Sequence, residues 1–218
     1  MPFGPRLPGW PVRDPHSSSY LATFAPAAEF GTLMAAEARR RGAAHVRQLT
    51  VLGDGAHWIW NLASKHFPEA TQIVDLYHAR EHLHDLGKLL AFMLGTSHGD
   101  WLAARLDDLD NGDIDAITTA ARSYPLAGAK AQDRDTALGY FETNAHRMRY
   151  KHFRSLGMFV GSGVVEAGCK AVIGQRLKLS GMHWTVPGAA GILTLRCQQA
   201  SGRWEEIWQQ PHNQTGEA

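Results

Sequence analysis

The sequence is poor in cysteine, in long apolar runs and in net charge. Its 218 residues include two cysteines, Cys169 and Cys197, which can form at most one disulfide bond and exclude a four-cysteine zinc site. No apolar run approaches the roughly 18 residues that a membrane span needs, and the opening MPFGPRLPGWPVRDP does not have the pattern of a signal peptide. These absences predict a cytoplasmic protein without a membrane partner.

The net charge of +1 conceals two segments of opposite sign. Residues 100–115 hold six aspartates and one arginine. Residues 147–184 hold seven lysines and arginines and a single acid, Glu166. A basic segment with one carboxylate fits a phosphate-binding site, although a solvated charged face has the same composition.

Residues 19–75 have the strand and helix signals of an α/β sheet. Before them, five of the ten prolines and a Ser-Ser-Ser run predict a disordered leader over residues 1–18. Apolar periodicity predicts strands over 19–24, 46–52 and 71–75, and helices over 26–41 and 56–66. Strands that alternate with helices indicate a parallel sheet.

From residue 76 onwards the apolar spacing is helical. It predicts helices over 76–94, 98–109, 112–122, 131–152, 164–179 and 187–201. We therefore divide the chain into an α/β segment (19–75), an all-α segment (76–155), a C-terminal helical segment (156–208) and a disordered tail (209–218).

Two aspartates follow predicted strands. Asp54 lies between Gly53 and Gly55, which leave the backbone room, and Asp75 ends the next strand. In a parallel sheet both strand ends share one edge, where α/β proteins usually bind ligands. Each aspartate also has a local explanation, because Asp54 can close a turn and Asp75 can cap the helix that follows.

Residues 78–82, HAREH, match the H-x-x-E-H pattern of zinc peptidases. In that interpretation His78 and His82 bind zinc, Glu81 is the general base, and Glu142 or Glu166 is the third ligand. A pattern with three fixed positions arises easily by chance in a chain with 12 histidines. It also leaves Asp54 and the basic segment without a role, so we keep it as a minor alternative.

Glu166 follows the sequence GSG and lies in the first turn of a predicted helix. The helix dipole alone favours an acid there. Lys170, Arg176 and Lys178 follow, so Glu166 has a second interpretation, in which it holds a divalent metal while the cations hold phosphates. Carboxylates from a strand end and a helix are the oxygen ligands that Mg²⁺ (or Mn²⁺) needs for two-metal phosphoryl transfer.

Four blocks of sequence occur in a recognisable order. They are GDGAHWIWNLASKHFPEATQIVDLYHAREHL (53–83), FETNAHRMRY (141–150), GSGVVEAGCK (161–170) and RLKLSGMHWTVPGAAGILTLRCQQASGRWEEIW (176–208). They resemble the catalytic half of ISKra-type insertion-sequence transposases, which are DDE enzymes with a ribonuclease-H-like core, and more distantly Mutator-type transposases. The similarity extends from about Ser19 to Trp208.

The resemblance implies a DDE-type DNA transposase that cleaves DNA and transfers strands. It matches Asp54 to the second acid and Glu166 to the third, both as metal ligands, and Asp75 and His78 to an accompanying D-x-x-H step. The implied fold is a partial ribonuclease-H-like α/β core, with the all-α segment 76–155 inserted between the second and third acids. The implied partners are DNA and at least one further copy of the chain, in a bacterial, nucleoid-associated location.

The basic segment and the helix after it supply candidate DNA contacts. Cations contact phosphates, and aromatic rings stack on bases or ribose. The candidates are Lys170, Arg176, Lys178, His183, Trp184 and Arg196. For His183, Trp184 and Trp204, burial in a core is the alternative explanation.

The sequence departs from the resembled family at the first acid. That acid is expected on an opening strand before Asp54, where the chain offers Asp14, Glu29 and Glu37, none of them on such a strand. We therefore expect that the first strands of the sheet are missing, that the chain is N-terminally truncated, and that it is inactive alone or needs the missing half in trans. The alternative with the same ancestry is a non-enzymatic DNA-binding remnant.

Overall fold

The computed structural model describes residues 17–178 and 181–209. Residues 1–16 of the predicted leader and 210–218 of the predicted tail therefore lie outside the described residues. The described chain forms two compact units, which we call the larger unit (27–163) and the smaller unit (17–26, 164–178 and 181–209). Helices predominate in both, and the two strands that occur among the described residues belong to the larger unit. The α/β class is thus confirmed at this coarse level.

The two strands of the larger unit are parallel. β1 (Thr50–Gly53) pairs with β2 (Thr71–Val74) in a register that sets Thr50 opposite Thr71 and Gly53 opposite Val74. α2 (His57–His66) connects them. The strand predicted from 46 begins only at Thr50, because the residues that would lie opposite 46–49 in this parallel register, 67–70, form the turn after α2.

α1 precedes the strand pair. It covers Ala27–Arg40, close to the predicted 26–41, and a short 3₁₀ turn, Ala43–His45, follows Gly42. Gly42 has a φ of +80°, a left-handed conformation that glycine adopts without strain and that ends the helix as predicted.

The all-α segment contains five helices. They are α3 (Leu76–Leu94), α4 (His98–Asn111), α5 (Ile114–Arg122), α6 (Ala129–Asn144) and α7 (Tyr150–Ser155). The predicted bounds of α3 are confirmed.

The single helix predicted over 131–152 is wrong, because α6 and α7 are separated by a 3₁₀ turn, Ala145–Arg147. In this break Arg147 Nε donates to Gln72 Oε1 over 2.9 Å, and its guanidinium lies 4.7 Å from the centroid of the Trp60 ring. These contacts to β2 and α2 account for the interruption of the helix.

One hydrophobic core serves the strand pair and the helices of the larger unit. It joins Ile73 and Val74 of β2 to Leu83 of α3, Phe141 of α6 and Phe153 of α7, and all five side chains are at most 2% exposed. The strand pair therefore packs against the helical segment, and burial of apolar side chains stabilises this packing.

The smaller unit is helical. Its elements are α8 (Gly163–Gly168) from its second residue onwards, a π-helical turn (Cys169–Gly174), α9 (Gln175–Leu177), α10 (Val186–Ala200) and α11 (Glu206–Gln209). The helix predicted over 164–179 is thus interrupted by the π turn. The helix predicted from 187 begins one residue earlier, where Thr185 Oγ1 accepts from Gly188 N–H over 3.2 Å.

The strand predicted over 19–24 is absent. Tyr20 N–H instead donates to Ser201 Oγ over 2.9 Å, and Tyr20 and Ala22 pack on a small core of Val172, Leu193 and Cys197. Residues 19–24 have no neighbouring strand, so side-chain contacts replace a ladder. Within the described ranges, no helix has the length and apolar character that a bilayer crossing requires.

Candidate active site

Asp54 lies in an exposed loop at the carboxyl end of β1. Its Oδ1 accepts from Ala56 N–H over 2.9 Å, so the side chain closes a tight turn as well as facing solvent. Gly55 has a φ of +102°, which residues with a Cβ rarely adopt, and Trp60 Nε1–H donates to its carbonyl over 3.1 Å. The loop is therefore fixed at Gly55, while the Asp54 carboxylate remains accessible.

Asp75 lies at the same sheet edge but is 1% exposed. Its Oδ1 accepts from the amides of Tyr77 (2.8 Å) and His78 (3.2 Å), which caps α3, and its Oδ2 accepts from Ser162 N–H. Its own amide donates to Gly53 O over 2.7 Å. Asp75 is thus a buried helix cap that also holds residue 162 against the strand pair.

His78 and His82 lie on the exposed side of α3. His78 Nδ1 is 3.2 Å from Glu81 Oε2, so two members of the H-x-x-E-H pattern contact each other. The His82 ring stacks on Tyr140 at a centroid distance of 3.8 Å. Partial burial lowers the pKa of His82, and the nearby charge of His78 lowers it further, against the opposing charge of Asp85.

Tyr140 comes from α6, 86 residues beyond Asp54, and its hydroxyl donates to the Asp54 carbonyl over 3.0 Å. Burial, and then the charge of Asp54, raise the pKa of Tyr140 far above its usual value, so the hydroxyl keeps its proton at neutral pH. No periodicity or motif in the sequence indicates this contact, and Tyr140 was not among the predicted site residues.

These side chains surround an open depression of about 320 Å³ at the sheet edge. Its lining consists of Asp54, Gly55, Ala56, His78, His82 and Tyr140. The depression thus brings together two of the predicted residues, Asp54 and His78. The third predicted residue of this edge, Asp75, lies buried at the start of α3.

Glu166 belongs to the smaller unit and is exposed. Its Oε1 lies 3.4 Å from Lys170 Nζ, one helical turn on, and both side chains are more than two-thirds exposed. A surface ion pair of this kind contributes little to stability. Because both side chains are largely exposed, both are accessible to ligands.

Most of the predicted DNA contacts are exposed. Lys170, Arg176, Lys178 and His183 face solvent, and Trp184 is 40% exposed, with Nε1–H donating to Arg176 O over 3.3 Å. Trp204, also 40% exposed, lies edge-on to Trp208 at 6.2 Å. The alternative explanation, burial in a core, is therefore wrong for His183, Trp184 and Trp204.

Arg196 has an intramolecular role. Its guanidinium donates to the carbonyls of Val172 (2.9 Å) and Ala171 and to Gln175 Oε1 (3.1 Å). A π-helical turn departs from the regular hydrogen-bond pattern of an α-helix. Arg196 supplies hydrogen-bond donors to carbonyls of this turn, and the structure uses the cation for packing in the smaller unit.

The depression offers the right kind of ligand for a divalent metal ion, but too few of them. Asp54 offers the carboxylate oxygens that Mg²⁺ prefers. No group of three or more His, Cys, Asp or Glu suited to a metal ion occurs among residues 17–178 and 181–209. Further ligands for such an ion would have to come from water, a substrate phosphate or another carboxylate.

The predicted site residues fall into two groups. Asp54, Asp75 and His78 belong to the larger unit, and the smaller unit carries Glu166, Lys170, Arg176, Lys178, His183, Trp184 and Arg196. No family model, curated protein or solved structure matches the chain.

Proposed function

We propose that this chain is a fragment of a DDE-type DNA transposase, in which Asp54 and Glu166 are the second and third acids of a ribonuclease-H-like core. The observation that carries the proposal is the contrast between the two aspartates at one sheet edge. Asp75 is buried and accepts three backbone hydrogen bonds, whereas Asp54 faces an open depression. An exposed carboxylate at the carboxyl end of a parallel strand supports a ligand-binding role for Asp54.

Residues of this chain would hold the Mg²⁺ or Mn²⁺ ions of such an enzyme through carboxylate oxygens. Asp54 and Glu166 are both exposed and available for this purpose. When bound, the ions would stabilise the charge that develops on the attacking and leaving oxygens of the phosphodiester. The Asp54 turn helps to orient its carboxylate, since Oδ1 is held by the amide of Ala56.

The smaller unit would bind DNA. Its exposed cations, Lys170, Arg176 and Lys178, suit phosphates, and the exposed rings of His183 and Trp184 suit stacking on bases. Arg196 was predicted as a further phosphate contact, but its bonds to Val172 and Ala171 favour an indirect contribution through the π turn. At least two copies of the chain would hold two transposon ends together.

The described residues upstream of Asp54 carry no acid on a strand, where the first acid of the triad is expected. Glu29 and Glu37 lie on α1, and Asp14 lies outside the described residues. We therefore propose that the chain is inactive alone and acts when the remaining part of the enzyme is supplied in trans.

A strand-transfer assay tests this proposal. The chain is assayed in Mg²⁺ with labelled transposon ends, alone and after co-expression with the reading frame upstream of its gene. We expect strand transfer only after co-expression. In Asp54→Asn and in Glu166→Gln we expect the rate of strand transfer to fall by about 100-fold or more, because even residues that only support a metal ligand lower activity by about 10- to 100-fold when they are mutated.

Glu81→Gln is the matched control, since Glu81 contacts His78 and is not assigned to an ion. Wild-type rates in Asp54→Asn would contradict the role of Asp54. Robust strand transfer by the purified chain alone would contradict the need for a partner.

A second candidate function is DNA binding without catalysis. The exposed Lys170, Arg176 and Trp184 favour it, because they need no carboxylate to bind a duplex. It is the better description if Glu166→Gln leaves every activity of the co-expressed enzyme unchanged. The geometry does not favour the zinc-peptidase alternative. Glu81 contacts His78, and the described residues place no third protein ligand beside the two histidines.

A further inference from the structure

The side chain of Tyr140 makes three contacts at the edge of the sheet. Its hydroxyl donates to the Asp54 carbonyl over 3.0 Å, and its ring stacks on His82 at 3.8 Å. The ring also lies against Gly55, where an added Cβ would be 2.6 Å from Cε2 of Tyr140. The loop that carries Asp54 thus packs closely against a side chain of the all-α segment.

The neighbouring residue on α6 has a different task. Phe141 is fully buried in the core of the larger unit, with its ring edge-on to Tyr140 at 5.3 Å. Tyr140 is only half-buried and is directed to the loop. Because Phe141 already supplies the apolar burial at this point of α6, the polar end of Tyr140 is not needed for core packing.

The hydrogen bond from Tyr140 restrains the peptide group between Asp54 and Gly55. The carbonyl of Asp54 is held by Tyr140, the carbonyl of Gly55 is held by Trp60, and Oδ1 of Asp54 is held by Ala56. The peptide and the side chain of Asp54 are therefore fixed from two sides. Of these contacts, the one from Tyr140 comes from a helix remote in sequence.

We propose that Tyr140 is a positioning residue for Asp54, through which the all-α segment sets the orientation of this carboxylate. This inference rests on the proposed function of Asp54 and deepens it. The helical segment 76–155 then has a task beyond spacing the second and third acids: its helix α6 completes the loop at the sheet edge. Catalytic carboxylates need such support, because small displacements of a metal ligand reduce activity strongly.

NMR on the full chain tests the positioning role without DNA or metal. Tyr140→Phe keeps the ring and removes the hydroxyl. We expect the Asp54 carbonyl ¹³C resonance to move upfield, and the backbone order parameters of Gly55 and Ala56 to fall from about 0.85 towards the flexible range below about 0.6. Tyr124→Phe is the matched control, because the Tyr124 side chain also packs on the core of the larger unit.

Loop resonances and order parameters in Tyr140→Phe that equal those in Tyr124→Phe would overturn the positioning role. A uniform loss of order throughout the larger unit would also overturn it, since that result would make Tyr140 a general packing residue.

A Mn²⁺ titration separates this inference from the proposed function. We expect Mn²⁺ to broaden the amides of the 53–56 loop in the wild type, to leave them sharp in Asp54→Asn, and to require a several-fold higher concentration in Tyr140→Phe. Broadening that persists unchanged in Asp54→Asn would overturn the metal role of Asp54, while the metal-free loop measurements would still decide the role of Tyr140. An unchanged Mn²⁺ requirement in Tyr140→Phe would overturn the positioning role alone.

Discussion

At the scale of single residues, position along the chain does not distinguish the two aspartates at the sheet edge. Both follow a β-strand, and both accept a hydrogen bond from a nearby backbone amide. Burial separates them, because Asp75 is enclosed by α3 and Ser162 while Asp54 faces the depression. The chemistry available to each carboxylate therefore depends on what packs around it.

His82 gives a pH prediction at this scale. Its pKa is lowered from 6.5 by partial burial, so the unfolded chain binds a proton more readily than the folded chain. His146 has a pKa lowered for the same reason, with Arg147 adding repulsion. We expect stability to be unaffected above about pH 7 and to fall as the pH drops through 6.5 towards the folded-state pKa values.

Histidine NMR titrations, together with urea unfolding between pH 5 and 8, measure this effect. His82→Gln should remove part of the pH dependence. A His82 resonance that titrates at or above 6.5 in the folded chain would contradict the prediction.

At the scale of elements, boundaries follow from caps and from paired neighbours. α3 begins at Leu76 because Asp75 caps it, and α5 begins at Ile114 because Asp113 Oδ1 accepts from Ala116 N–H over 3.0 Å. β1 is short because β2 offers only four partners. The cap residues are visible in the sequence, whereas the length of a paired strand depends on a second segment.

Removing the two caps should have unequal effects. Asp113→Ala loses one exposed hydrogen bond and should cost about 1 kcal/mol of stability. Asp75→Ala removes the acceptor of three partly buried amides, those of Tyr77, His78 and Ser162, so it should cost about 2 to 3 kcal/mol. Urea unfolding measures both losses. Equal losses in the two variants would contradict the role of Asp75 in holding Ser162.

At the scale of the whole molecule, the larger unit has one core for its strands and its helical segment. The core connects β2 to α3, α6 and α7, although the sequence divides naturally at residue 75 into α/β and all-α parts. The two parts should therefore unfold together. This shared core is also what allows a helix as remote in sequence as α6 to support the Asp54 loop.

Phe141→Ala tests this cooperativity. The side chain is fully buried, and its removal should cost about 3 to 5 kcal/mol and weaken amide protection in β1 and β2 as well as in the helices. Phe92→Ala is the matched control, because Phe92 is 87% exposed and its loss should change stability by less than about 0.5 kcal/mol. Hydrogen exchange measures both. Protection that falls in α6 but not in the strands would show that the two parts unfold separately.

Much of the secondary structure could be predicted because its signals are local. Helical spacing and an aspartate cap predicted α3 to the residue, and Gly42 marked the end of α1. The break between α6 and α7 could not be predicted, since it depends on contacts of Arg147 with Gln72 and Trp60 that lie far away in sequence. The strand predicted at 19–24 failed because β propensity forms a strand only where a neighbour is available.

The sequence by itself determined the α/β class, the order of the helices, and the placement of Asp54 and Asp75 at the carboxyl ends of two parallel strands. These features follow from apolar periodicity, glycine and capping, which act over a few residues. The tertiary structure alone decided that Asp75 is a buried cap and that the Asp54 side chain faces a depression. It also decided that Tyr140, 86 residues further along the chain, contacts the Asp54 loop. Burial and long-range hydrogen bonds depend on which segments pack together, and no local pattern encodes that packing.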